Sequence, residues 1–307
     1  MITQQSGDAL GSKVLFTLRT ANAQDANDIL AKIRIFLGDF EARFSRFLPD
    51  SELTRVNKKA GEWTIVSDEF IRLAKQAQIM QRETDGLYNP LLLAQLQAAG
   101  YLKSWTGSPR ANAVTAPDFS NRVLSDTLQA SFELRQNSIR IPATSALDFG
   151  GIGKGYALDC IAEIIEANGC TNYWISLGGD ILSSGTQELE LPWLVELGAL
   201  HEGGSDTDDV PILSPMYEMP HERRAIATSS ILKRQGKDWH HLIDPRTGKP
   251  ANTSVLSAVV IANSGVTADV MAKCLIIASK EVKSFWRKHT QIDAYAQYRT
   301  HYERLHV

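Results

Sequence analysis

Cysteine is scarce in this chain of 307 residues: there are three, Cys160, Cys170 and Cys274. The odd number and the lack of any Cys-x-x-Cys spacing argue against a disulfide framework and against a cysteine-held zinc site. Each lies in apolar surroundings and reads as a small core residue. Long apolar runs are also missing. No stretch approaches the roughly 18 residues that a membrane-spanning helix needs. The opening MITQQSGDALGSK holds no apolar segment of the signal-peptide kind. The expectation is a soluble protein without a membrane span, cytoplasmic as given, or periplasmic if an export signal has been removed. No run of Lys and Arg is long enough to track a phosphate backbone, and the formal net charge is −3. Nucleic acid is therefore not an expected partner. The densest basic cluster, Lys233-Arg234 with Lys237, reads as a loop. The one adjacent histidine pair, His240-His241, would point to opposite faces of a strand and could not chelate one metal. There is no internal repeat and no low-complexity tail.

What is present is ordinary for a globular protein: 43% hydrophobic and 22% charged residues, over a length about twice that of a usual domain. Residues 12–19 alternate apolar and polar and predict a strand. Ile29, Ile33, Phe36, Leu37, Phe40 and Phe44 recur every three or four positions and predict a helix from Asp25 to Phe44. Ser67 is placed to cap a second helix running to Arg82. Residues 104–122 are rich in Ser, Pro, Asn and Thr and read as a loop. A strand pair is expected at Leu128–Leu134 and Ser138–Ile141. A helix should then end at Ala167, closed by Gly169. Further strands are expected at Tyr173–Leu177, Pro192–Leu200, 224–228, 239–243 and 255–262. Thr267 is the candidate cap of a helix through Ser279, with another following to Lys288. Residues 201–222 read as a mobile insertion and 1–7 as a tail outside a single domain spanning 8–300. The order of elements lacks a regular strand–helix alternation, so the fold class expected is α+β.

Three segments carry chemistry. The first is Asp148-Phe-Gly-Gly-Ile-Gly-Lys-Gly-Tyr-Ala-Leu-Asp159, after a strand and opening a helix. Four glycines in six residues let backbone approach a ligand, and a helix N-terminus with Lys154 suits phosphate. The segment matches neither the P-loop nor the dinucleotide frame, and a tight turn with a surface lysine is its alternative reading. The second joins Ala227-Thr228-Ser229-Ser230 to His240-His241 and Asp244-Pro-Arg-Thr-Gly-Lys-Pro250, which on local grounds is a hairpin connection. The third is Thr267-Ala268-Asp269-Val-Met-Ala-Lys273. There Asp269 and Lys273 sit one turn apart, the spacing of a surface ion pair.

Taken together with Leu10-Gly11-Ser12, Ser45-Arg46-Phe47, Ser51-Glu52-Leu53, Asn57, Asp85-Gly86-Leu87-Tyr88-Asn89-Pro90 and Gly178-Gly179-Asp180, these segments resemble the ApbE family. Its members carry similar runs in the same order, among them DLGGIAKGYAVD and His-Ile-Ile-Asp-Pro-x-Thr-Gly-x-Pro. The resemblance implies an ApbE-like fold of two intimately packed mixed α/β subdomains with a flavin cleft between them. It implies an enzyme, an FAD:protein FMN transferase. Such an enzyme moves FMN from FAD to a Thr or Ser hydroxyl of an acceptor protein, depends on Mg²⁺ and releases AMP.

By that resemblance Leu10, Phe47, Leu87, Tyr88, Asn89, Asp148, Lys154, His241 and Ile243 bind FAD, with residues 87–89 towards the adenine end. Phe47 keeps the stacking face of the family's usual Tyr, and Asn89 replaces its usual Asp. Asp269 and His241 are the candidate catalytic residues. The Gly151 carbonyl and Asp269 are the implied metal ligands, and Lys273 stands where the family has a third ligand, a Thr hydroxyl. An ammonium cannot ligate Mg²⁺, which takes oxygen donors. Either Lys273 swings away and water fills the position, or it pairs with Asp269 and stands in for the metal. The alternatives in function are an FAD-binding protein with weak or no transfer, and an FAD diphosphate hydrolase.

Overall fold

The computed structural model describes residues 1–102, 117–121, 130–187, 190–197, 215–232, 234–236, 239–289 and 292–305. Strand β1 (Ile2–Ala9) pairs along its whole length with β2 (Ser12–Arg19). In β2 the alternation of Val14, Phe16 and Leu18 puts one face into the core, and Leu18 is fully buried. Asn22 caps helix α1 (Ala23–Phe44) by accepting from the Asp25 N–H, and its apolar stripe faces inward as the periodicity predicts. Next come α2 (Glu52–Lys58), β3 (Thr64–Ile65), α3 (Asp68–Glu83) capped by Ser67, and α4 (Leu93–Ala98). The short strands β4 (Glu133–Leu134) and β5 (Ser138–Arg140) join β3 in a small sheet ordered β3-β5-β4.

The glycine loop leads into helix α5 (Gly153–Ala167). Then follow β6 (Asn172–Leu177), β7 (Asp180–Ser184), β8 (Leu194–Glu196), β9 (Met216–Glu218) and β10 (Arg224–Ser230). The hairpin of β11 (Ile243–Asp244) and β12 (Lys249–Pro250) precedes β13 (Ser257–Ala262) and helix α6 (Gly265–Ala278). Helix α7 (Val282–Arg287) and strands β14 (Asp293–Gln297) and β15 (Tyr302–Leu305) complete the chain. Eight strands form one sheet in the order β1-β2-β6-β7-β10-β13-β14-β15, antiparallel throughout. Helix α6 lies on β10 and β13, α5 lies on α6, and α1 lies on α5. The β8–β9 ribbon covers the opposite face, where Val195 and Leu197 meet Ile226, Val259 and Ile261.

The fold is α+β. The small sheet with α2 and α3 is not independent of the large one, because one continuous core runs through both. Phe70 of α3 packs 5.6 Å from Phe44 of α1 and 5.4 Å from Phe149 of the glycine loop, centroid to centroid. A fully buried aromatic or aliphatic side chain is worth about 1.5–3 kcal/mol, so this contact fixes the loop against both layers.

Several expectations need correction. Residues 1–7 are not a tail: they form most of β1, at the edge of the large sheet, and β15 extends the other edge to Leu305. The cap of α6 is Ser264, which accepts from the Thr267 N–H, so Thr267 lies inside the first turn. The strand expected at 239–243 reduces to Ile243–Asp244 and a single bridge between Gln235 and His240. Of the expected insertion 201–222, residues 201–214 lie outside the described residues, while Met216–Glu218 is strand β9. Most of the loop at 104–122, the start of the strand at Leu128, and both Lys233 and Lys237 also lie outside them.

Candidate functional site

A cleft of about 470 Å³ opens between the two layers. It is lined by Leu10, Phe47, Leu87, Tyr88, Asn89, Asp148, Gly151, Lys154, His241, Ile243 and Lys273, so residues scattered over 260 positions of sequence converge on one space. Leu10 reaches it from the β1–β2 turn. Leu10 and Gly11 both have positive φ, 51° and 65°, which a two-residue hairpin turn needs. A left-handed leucine is strained by about 1–2 kcal/mol, and here it delivers the side chain to the cleft wall.

The glycine loop is placed by a helix crossing. A Cβ on Gly155 would stand 2.2 Å from the Gly265 carbonyl oxygen, and one on Gly265 would stand 2.3 Å from the Gly155 oxygen. The two helices therefore cross backbone to backbone, and each caps the other. Asp159 of α5 accepts from the N–H groups of Gly265 (2.8 Å) and Val266 (3.0 Å) at the start of α6. Asp269 of α6 accepts from the Gly155 N–H (3.1 Å) at the start of α5. Carboxylates at helix N-termini are favoured by the exposed N–H groups and the dipole. The N-terminus expected to face phosphate is thus partly taken by Asp269.

Two lysine–aspartate pairs stand beside the loop. Lys154 Nζ donates to Asp180, whose other oxygen accepts from the Thr228 N–H at 3.0 Å. Lys273 Nζ donates to Asp269 Oδ1 and, at 3.0 Å, to the Asp269 carbonyl oxygen. Burial pushes the Asp269 carboxyl up, but Lys273, Lys154 and the Gly155 N–H outweigh it and hold it below its ordinary value. Asp269 is 1% exposed and stands behind the cleft wall, with Lys273 in front of it.

These residues do not fit a Mg²⁺ ion. Both Asp269 carboxylate oxygens are already bonded, one of them to an ammonium that would repel a cation. Among the described residues no group of three His, Cys, Asp or Glu side chains stands ready to hold a metal. Gly151 and Asp269 are both neighbours of Lys273, whose Cδ would lie 3.9 Å from a Cβ on Gly151.

The far end of the cleft is aromatic and basic. Arg46 donates to Asp148 Oδ2 at 2.8 Å, so Asp148 is engaged by protein. The Arg46 guanidinium lies 4.7 Å from the Phe47 ring centroid and 4.4 Å from that of Tyr101. Tyr101 in turn stacks on Trp239 at 6.0 Å and meets His241 edge-on at 6.3 Å. His241 donates through Nδ1 to the Arg234 carbonyl at 3.2 Å, since that oxygen can only accept. Burial, with Arg234 and Lys273 nearby, pushes the His241 pKa well below the ordinary value. His240 turns away to the Ala251 carbonyl at 2.9 Å.

Tyr88 is buried against Gly151, and its hydroxyl has no hydrogen-bond partner among the described residues. Burial and the charges of Asp148 and Asp269 push its pKa well up, so it stays a neutral donor. Asn89 spends its side chain on its own surroundings, the Ala130 carbonyl (3.2 Å) and the Leu91 N–H (2.9 Å). Arg46, Tyr101, Asp180 and Arg234 also line or brace the cleft and were not named as site residues from sequence. Arg46 and Asp180 lay inside quoted motifs, whereas Tyr101 and Arg234 lie in none.

A sequence profile of the ApbE family matches residues 10–296. The chain is 26% identical to the FAD:protein FMN transferase of Vibrio cholerae, over 84% of this chain and 75% of that one. It is 28% identical to the FAD:protein FMN transferase of Treponema pallidum, over 89% and 77%. Among solved structures, the apo flavinyl transferase ApbE of Pseudomonas stutzeri superposes with a TM-score of 0.80 at 19% identity, covering 99% of this chain and 94% of that one. The flavin transferase ApbE of Vibrio cholerae superposes at 0.76 and 22%, covering 99% and 97%.

Proposed function

The chain belongs to the ApbE family, and we propose that it is an FAD:protein FMN transferase acting on a threonine or serine of an acceptor protein. One observation carries this reading: the glycine loop, Lys154, His241 and the aromatic end meet around a single cleft of about 470 Å³, a size that suits one nucleotide cofactor. FAD lies with its diphosphate along the glycine loop between Lys154 and Lys273, and its ring system against Phe47 and Tyr101. Leu87, Tyr88 and Asn89 face the adenine end.

The acceptor hydroxyl attacks the FMN-side phosphorus. A phosphorus–oxygen bond forms to the acceptor, the bond to the bridging oxygen breaks, and AMP leaves with that oxygen. Such transfers depend on positioning and on neutralised phosphate charge. His241 is the proton acceptor: Nδ1 carries its hydrogen to the Arg234 carbonyl, which leaves Nε2 to receive the hydroxyl proton, and the negative phosphates of bound FAD offset the burial that otherwise disfavours the protonated ring. Asp269 acts through Lys273, which it holds at the phosphate side of the cleft. Lys273 stands at the expected ligand position of Mg²⁺, so Lys154 and Lys273 neutralise the diphosphate.

The test is AMP release from FAD by the purified protein, with and without threonine-bearing acceptor domains of electron-transfer proteins. Transfer predicts AMP in step with flavin fixed covalently to an acceptor, and little AMP otherwise. Equal AMP release without acceptor would make the protein an FAD diphosphate hydrolase. Bound FAD with no AMP under any condition would make it a binding protein.

A further inference from the structure

We propose that the ammonium of Lys273 replaces the divalent cation at the nucleotide's diphosphate, so that this chain binds FAD without metal. The proposal rests on the FAD site described above. Lys273 is held where a cation is needed: its Nζ is bonded to Asp269 Oδ1 and to the Asp269 carbonyl oxygen. The remaining Asp269 oxygen is fixed by the Gly155 N–H. The carboxylate is 2% exposed and the lysine side chain 14%, so the lysine is the member of the pair that meets the cleft. Its stem runs beside Gly151, at the mouth of the same glycine loop that Lys154 flanks.

A lysine carries half the charge of a divalent ion. The second charge comes from Arg234, which lines the same cleft and whose carbonyl oxygen accepts from His241 Nδ1 at 3.2 Å. Two monovalent donors, each offering N–H groups to phosphate oxygens, then take the place of one ion whose carboxylate ligand, Asp269, is already bonded to Lys273 and to the Gly155 N–H.

The experiment is calorimetric titration of FAD into protein stripped with EDTA, repeated with added Mg²⁺, for the wild type and for Lys273→Thr, Lys273→Met and Lys273→Arg. Thermal melts confirm that each variant is folded. The wild type is expected to bind FAD with the same affinity in EDTA and in Mg²⁺. Lys273→Thr should bind about tenfold or more weakly in EDTA, from loss of a charge-assisted contact, and should recover with Mg²⁺ because it supplies an oxygen ligand. Lys273→Met should be weak in both buffers, and Lys273→Arg should bind in EDTA. Wild-type binding that requires Mg²⁺ would overturn the proposal and leave the transferase reading intact. So would unchanged binding by both Thr and Met variants in EDTA. Tight binding in EDTA with no AMP release under any condition would support this proposal and overturn the transferase reading.

Discussion

At the scale of single residues, the site works by holding charges in fixed pairs. His241 differs, a buried imidazole kept neutral and bonded through Nδ1 to a backbone carbonyl rather than to a carboxylate. Its folded pKa lies below its unfolded value near 6.5. The unfolded chain therefore binds a proton that the folded chain refuses. The stability associated with His241 is fully present above that value and is lost as pH falls through it towards the folded pKa. The loss approaches about 1.4 kcal/mol per pH unit while only the unfolded state is protonated. His240 is shifted the same way, also by burial, and adds to the slope. Urea midpoints between about pH 7.5 and 5 should fall for the wild type and fall less for His241→Gln. Equal slopes would mean that His241 titrates normally in the folded protein.

At the scale of elements, the reciprocal capping of α5 and α6 positions the glycine loop. Asp159→Ala would take the acceptor from two backbone N–H groups at the start of α6 and leave Arg223, which it meets at 2.8 Å, with Glu166 at 3.6 Å as its remaining acidic partner among the described residues. A loss of about 1–3 kcal/mol is expected. Equilibrium urea unfolding measures it, and an unchanged midpoint would contradict the capping account. This arrangement also marks the limit of what sequence reveals about elements. α1 was legible from its apolar stripe and α3 from its Ser67 cap, both local signals, whereas the Asn22 cap that starts α1 at Ala23 was not read. β1 was not, because an edge strand carries few buried side chains, and MITQQSGDA accordingly shows no apolar alternation. The cap of α6 was misplaced because Ser264 and Thr267 are both good capping residues three apart, and only geometry tells which one precedes the first turn. The Asp269–Lys273 pair was legible from its spacing. That Asp269 also caps a second helix was not, because Gly155 lies 114 positions away.

At the scale of the whole molecule, the cleft exists because one core joins two layers. The motif residues come from the β1–β2 turn, the end of α1, the glycine loop, the β11 segment and α6. The residues can be read from the sequence, but their convergence, and the aromatic wall of Phe47 and Tyr101 backed by Trp239, arise from packing between distant segments. The most direct measurement of the account is a crystal structure of the protein grown with FAD in EDTA. The account predicts FAD in this cleft. The diphosphate should lie along the glycine loop within hydrogen-bond reach of Lys154 and Lys273. The ring system should lie against Phe47 and Tyr101, and no metal should stand beside Asp269. A nucleotide bound outside the cleft, or a diphosphate that contacts neither lysine, would contradict it.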